Sequence, residues 1–194
     1  GVSEGASTKT SIFAFPNLIL GLVAMFAYVG LEVITGDTII SYGISLGFPE
    51  AEAKDCGTYT LWFMMLGYVA GIFLIPKFVS QQNWLKYSSI FGLIITAVAL
   101  FTSGFTTVFC IALLGLANAI MWPAIWPLAL DGLGKFTKLG SALLIMMIAG
   151  GALLPLVYGK MSDLYSTQLA YWLLVPLYLF LLYYATLGFK KKNW

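Results

Sequence analysis

Apolar residues run through this chain in long blocks, separated by short polar joints. Six blocks are long enough to cross a bilayer: residues 17–46, 58–79, 85–103, 107–130, 139–161 and 169–189. Roughly 20 apolar residues at 1.5 Å rise per residue span the hydrocarbon. A backbone in lipid must satisfy its own polar groups, and continuous blocks of this length do so as helices. The pattern therefore predicts six transmembrane helices. Their joints are short, so consecutive helices are expected to be antiparallel neighbours in one all-α bundle over residues 15–194. Residues 1–14 are predicted to be a polar linker before the first span. The first eleven, GVSEGASTKTS, lack the apolar core of a signal peptide, so the chain reads as a piece of something longer.

Composition agrees with the pattern. Hydrophobic residues make up 60% of the 194 and charged residues 9%, against about 25% charged in soluble domains. An integral membrane protein is expected. The net charge of +2 carries no implication of nucleic-acid binding, because the lysines are spread over joints and the C-terminal residues. Histidine and arginine are absent from the sequence, which excludes histidine metal sites, Ser/His triads and histidine proton relays within this chain. No CxxC, Walker or dinucleotide glycine pattern occurs, so no cofactor and no metal are implied. Cys56 and Cys110 are expected to be unpaired, although both could face one compartment and geometry decides.

Lysine placement predicts orientation. With a cytoplasmic N-terminus, the inner face collects Lys9, Lys77, Lys86, Lys135, Lys138, Lys190, Lys191 and Lys192. The outer face then holds Lys54 and Lys160 beside Glu50, Glu52, Asp55 and Asp163. This positive-inside bias places both termini in the cytoplasm, with Trp84 and Trp194 as anchors near the inner interface.

Chemistry concentrates in two spans. Residues 115–134, GLANAIMWPAIWPLALDGLG, set Asn118 and Trp122 near midplane, one helical turn apart on one face, with Trp126 a turn further. Lipid offers an amide no partner, so Asn118 must face protein or a water-filled cavity. An amide beside an aromatic plane suits a sugar, which presents hydroxyls and an apolar C–H face. Pro123 and Pro127 remove backbone donors and are expected to kink the helix there. The alternative is a kinked helix whose Asn118 bonds a neighbouring helix and whose Trp residues pack. In the first span, Glu32 lies near midplane and Asp37 further out. Residues five apart on a straight helix point about 140° away from each other, so a break near Gly36 is needed to turn both acids inward. An ionisable residue at that depth is a functional candidate; the other reading is a Glu32 bonded to a neighbouring helix. Asp131 ends the fourth span, where a carboxylate opposes the helix dipole and a nearby lysine should compensate it, with a gating ion pair as the other reading.

Small residues set close approaches. Gly67 and Gly71 form a GxxxG spacing in the second span, and Gly150 and Gly151 precede Pro155 in the fifth. AGIFLIP at 70–76 and GGALLP at 150–155 are faintly alike, which suggests two inverted three-helix repeats.

Several stretches resemble the C-terminal half of the major facilitator superfamily, in its fucose and glucose/galactose permease branch. They are YVGLEV, GYVAG with PKF after it, NAIMWPAIWPLALDGLGK and GSALLIMMIAGGALLPLVYGKMSD, and the similarity runs from Phe15 onward. The resemblance implies half of a twelve-helix sugar/cation symporter of a bacterial inner membrane, with this chain equivalent to helices 7–12. It implies a hexose or deoxyhexose substrate, H⁺ or Na⁺ as coupling ion, alternating access, and an N-terminal six-helix half as partner. Glu32, Asn118 and Trp122 then contact substrate, and Glu32, Asp37 and Asp131 are candidates for ion coupling or gating. In the GYVAGIFLIPK stretch the basic residue usual after the first glycine is Tyr68. Family members generally carry their coupling carboxylates in the N-terminal half. A transporter half, not an enzyme, is expected; the competing class is a non-transporting membrane scaffold that pairs with another bundle.

Overall fold

The computed structural model describes residues 9–75 and 77–193, so what was expected of residues 1–8, Pro76 and Trp194 lies outside the described residues. Six helices long and apolar enough to cross a membrane follow one another: α1 (Pro16–Ser45), α2 (Glu50–Leu74), α3 (Gln81–Phe101), α4 (Phe105–Leu130), α5 (Gly134–Leu164) and α6 (Thr167–Lys190). α2 shows the largest departure from the predicted boundaries, starting at Glu50 rather than residue 58. Pro49 precedes it, Glu50 and Glu52 fill its first turn against the positive end of the helix dipole, and Lys54 pairs with Glu50 at 2.7 Å. Hydropathy registers the apolar part of a helix and misses such polar extensions beyond it.

α2 packs on α4 as α5 packs on α1, α3 packs on α4 as α6 packs on α1, and α3 meets α6. Exchanging the first three helices for the last three maps this set of pairs onto itself, the arrangement of an inverted repeat. α1 and α4 are the most buried helices, and α2 and α5 expose most of their surface. The side-chain amides of Asn17 and Gln168 cap open helix ends. Asn17 Nδ2 donates to the carbonyls of Ala129 at 3.2 Å and Asp131 at 3.0 Å, ending α4. Gln168 Nε2 donates to those of Ala99 at 3.0 Å and Thr102 at 2.6 Å, ending α3.

α1 runs unbroken through Gly36, so the expected break there does not occur. No proline interrupts it, and the hydroxyls of Thr35 and Thr38 bond back to the carbonyls of Leu31 and Ile34. α4 does break. It consists of Phe105–Asn118 and Met121–Leu130, joined through Ala119 at φ −58°, ψ 137° and Ile120 at φ 64°, ψ 3°. Those angles are a type II turn with isoleucine where glycine is usual. A β-branched residue at positive φ costs on the order of 1–2 kcal/mol. Pro123 explains the position: it lacks the N–H that would bond the Ala119 carbonyl four residues back, and its ring would clash with that carbonyl. The freed carbonyl accepts from Trp84 Nε1 of α3 at 3.3 Å.

α2 supplies the seat for this turn. A Cβ at Gly67 would lie 2.5 Å from the Ala119 Cβ, and one at Gly71 would overlap Ile120 Cδ1. The GxxxG spacing thus receives the broken turn of α4. On α5, a 3₁₀ turn at Met147–Ala149 leads into Gly150, where a Cβ would overlap the Phe26 carbonyl of α1.

Asn118, the last residue before the break, is fully buried. Its Nδ2 donates to Thr35 Oγ1 of α1 at 3.0 Å, and its Oδ1 accepts from the Tyr178 hydroxyl of α6 at 2.7 Å. Thr35 passes its own proton to the Leu31 carbonyl at 2.8 Å. The Tyr178 ring lies against Gly92 of α3, where a Cβ would overlap it. One amide therefore ties α1, α4 and α6, and its tyrosine partner is seated on α3.

Two stability outcomes follow, both read by unfolding in mixed detergent micelles. Gly150→Ala should lose about 1–3 kcal/mol, because its new methyl meets backbone that cannot yield. Gly159→Ala, whose Cβ position is open, should be neutral or slightly stabilising; equal behaviour of the two variants would contradict the packing of α5 on Phe26. Asn118→Leu should lose about 1–3 kcal/mol by orphaning the Tyr178 hydroxyl. Adding Tyr178→Phe to it should cost little more, a coupling of about 1 kcal/mol; strictly additive losses would mean that the bond contributes nothing.

Candidate functional site

A partly exposed polar face is built from residues of α1, α2 and the second half of α4. Glu32 is half-buried on α1. Tyr28, one turn earlier on the same helix face, is 1% exposed, and Glu32 and Tyr68 of α2 are its polar neighbours. Tyr68 in turn lines a pocket with Gly71, Ile120 and Pro123, beside the broken turn. Carboxylate, two phenols and the turn thus lie near one another on three helices.

An aromatic surface adjoins it. The Tyr28 ring meets Trp122 edge to face, with centroids 6.4 Å apart and planes at 73°. Trp122 stacks on Trp126 at 5.9 Å and 16°. Both indoles are half-buried, and Pro123 and Pro127 are exposed on the same stretch of helix. The half-helix presents these rings because the break at Ala119 and Ile120 resets its direction, while the prolines require no backbone donors there. A carboxylate and phenols accept or donate hydrogen bonds to hydroxyls, and the indoles offer a flat apolar surface. Together they match a small polyhydroxylated ring.

The expected site residues separate in this structure. Glu32 and Trp122 are brought together, with Tyr28 between them. Asn118 stands behind that face, with its Nδ2 and Oδ1 engaged by Thr35 and Tyr178. Asp37 is exposed, and the unbroken α1 directs it about 140° away from Glu32. Asp131 sits at the lysine-rich end, where its carboxylate pairs with Lys192 at 2.6 Å. The compensating lysine is thus Lys192, not Lys135 or Lys138, because the C-terminal residues fold back over the end of α4. Both partners are exposed, and such pairs contribute about 0–1 kcal/mol. Cys56 and Cys110 are buried free thiols.

Two members of the open face escaped the reading of the sequence. Tyr28 could have been found from its i, i+4 spacing to Glu32. Tyr68 is the residue that stands where a basic one is usual, and nothing in its local sequence points to Glu32 on another helix.

No family model matches the chain. It is 29% identical over 184 residues to the glucose/galactose transporter of Brucella abortus, covering 93% of this chain and 44% of that protein. It is 29% identical over 143 residues to the L-fucose-proton symporter of Haemophilus influenzae, covering 74% of this chain and 33% of that protein. The chain spans about half the length of the curated relatives it matches, or less. Among solved structures, the major facilitator superfamily transporter FucP in its outward conformation superposes with a TM-score of 0.82 at 23% identity. That superposition covers 87% of this chain and 41% of FucP. The chain thus has the six-helix fold of one half of a major facilitator superfamily transporter, and its sequence is similar to those of glucose/galactose and fucose carriers.

Proposed function

We propose that this chain is the C-terminal half of a cation-coupled sugar carrier, which binds a hexose or deoxyhexose on the face formed by Glu32, Tyr28 and Trp122. The observation that carries the reading is the half-buried carboxylate set beside a stacked pair of indoles inside a membrane bundle. Keeping an acid at that depth is costly without a use for it. The names of the relatives, glucose/galactose transporter and L-fucose-proton symporter, support sugar as cargo and a proton as coupling ion.

In this reading an N-terminal six-helix half faces α1, α2, α4 and α5, and the sugar is bound between the halves. Trp122 and Trp126 stack on the C–H face of the ring. Glu32 accepts hydrogen bonds from its hydroxyls, and Tyr28 holds the carboxylate in position. Protonation of Glu32 removes its charge and weakens that acceptor, so proton and sugar occupancy are linked at one residue. Asn118 supports the face from behind; a sugar reaches its amide when the bond to Thr35 or Tyr178 opens. Asp131 with Lys192 closes the lysine-rich end, which lies in the cytoplasm by the positive-inside rule, together with both termini in a bacterial inner membrane. Asp37 belongs to a separate surface and is a coupling candidate only through a change in α1.

The site is tested by titrating glucose, galactose and fucose into the carrier made by joining this chain to its N-terminal half. Trp122→Ala and Glu32→Gln should each weaken binding by tenfold or more, equivalent to at least about 1.4 kcal/mol. Asp131→Asn, at the remote ion pair, should leave affinity within about twofold of the parent. Affinity unchanged in both Trp122→Ala and Glu32→Gln rules the site out.

A further inference from the structure

Asn17, the second residue of α1, joins three helices at the lysine-rich end, and it is fully buried. Its backbone N–H lies in the first turn and has no partner within α1; it donates to the Lys191 carbonyl at 3.0 Å. Its carbonyl accepts from the Tyr184 hydroxyl of α6 at 3.1 Å. Its Nδ2 donates to the carbonyls that end α4. Gly21, one turn on, lets α1 lie against that end, since a Cβ there would sit 2.5 Å from the Ala129 Cβ. The Asn17 Oδ1, by contrast, is buried without a hydrogen-bond partner. An orphaned acceptor is costly, so the donors on the same amide must offset it. A leucine of similar volume would remove the orphan oxygen and would release the α4 carbonyls with it.

The segment that Asn17 holds is the one that carries the indoles. Met121–Leu130 is a half-helix of 10 residues, about 15 Å long. Its start is seated by Ile120 on Gly71 and by the Trp84 bond to the Ala119 carbonyl. Its end is seated on Asn17. Between these attachments lie Trp122 and Trp126, and the Trp122 ring meets Tyr28 of α1 edge to face. The broken turn interrupts the hydrogen-bond ladder that would carry the direction of the first half of α4 into the second. The direction of the half-helix therefore depends on its second attachment.

We propose that Asn17 is a positioning residue for the sugar face: by tying the end of the half-helix to α1, it sets where Trp122 stands relative to Tyr28 and Glu32. Its bearing on sugar rests on the site proposed above; its effect on Trp122 does not. Gln168 provides the comparison, because its amide makes the same kind of tie at the end of α3. That tie lies at the other end of the bundle, where Thr102 meets Thr107 of α4.

The test titrates the whole chain in detergent micelles with acrylamide, and subtracting the signal of the matching Trp122→Phe chain isolates Trp122. Asn17→Ala should raise the quenching constant of Trp122 about twofold or more, through local release of the half-helix. Gln168→Ala, which loses an equivalent cap, should leave it unchanged. Asn17→Ser keeps one donor and should fall between the two; it carries the comparison if Asn17→Ala does not fold. In the carrier made by joining this chain to its N-terminal half, Asn17→Ala should weaken sugar binding about fivefold, but less than about twofold in a Trp122→Ala background, as expected of a residue that acts through Trp122. Quenching of Trp122 that is unchanged in both Asn17 variants, or raised equally by Gln168→Ala, would overturn the proposal. Raised quenching with sugar affinity unmoved would leave the tie standing and refute the sugar site.

Discussion

A side-chain amide in hydrocarbon must find partners within the protein, and this bundle is arranged so that Asn118 has two. Thr35 and Tyr178 engage its two ends from α1 and α6. Because α1 and α6 belong to different three-helix repeats, the bond series crosses the centre of the fold. The same constraint governs the backbone one residue later. Pro123 withholds a donor, so Ala119 must find another, and Trp84 of α3 supplies it. The turn that results places an isoleucine at positive φ. Its cost is offset by packing on Gly67 and Gly71, which no larger residue would allow.

These ties divide the interior into a fixed side and an open side. Behind the break, Asn118 is engaged by Thr35 and Tyr178. In front of it, the half-helix from Met121 carries Trp122 and Trp126 outward, beside Glu32 and Tyr28 of α1. In the proposed carrier, a site on rigid helices backed by a bonded polar network would keep its geometry when a second bundle moves over it. Tyr68 lies between the two sides, near Glu32 and lining a pocket beside the broken turn.

The six spans were legible because hydropathy over about 20 residues is the strongest signal a membrane chain carries. The disruption in the fourth span was legible from Pro123 and Pro127, but a break, rather than a kink, depends on whether neighbouring helices can receive the freed groups. Gly67 and Gly71 announced a close contact without naming what would fill it. Asn118 admitted two readings, a sugar contact or a bond to neighbouring helices. The bonds to neighbouring helices depend on Thr35 and Tyr178, which lie 83 and 60 residues away in sequence. Glu32 stood out because an acid in an apolar block is expensive at any register. Asp37 did not join it because α1 contains no proline to enforce the break at Gly36. Asp131 was correctly expected to meet a lysine, yet which lysine depended on where the C-terminal residues fold.

The decisive measurement is uptake of labelled glucose, galactose and fucose into proteoliposomes, comparing this chain alone with the chain joined to an N-terminal six-helix half. Uptake by the joined form, driven by an inward proton gradient and absent from the chain alone, is the predicted result. Uptake of none of the three sugars by a joined form that is folded and correctly inserted would contradict the reading of this bundle as half of a sugar carrier.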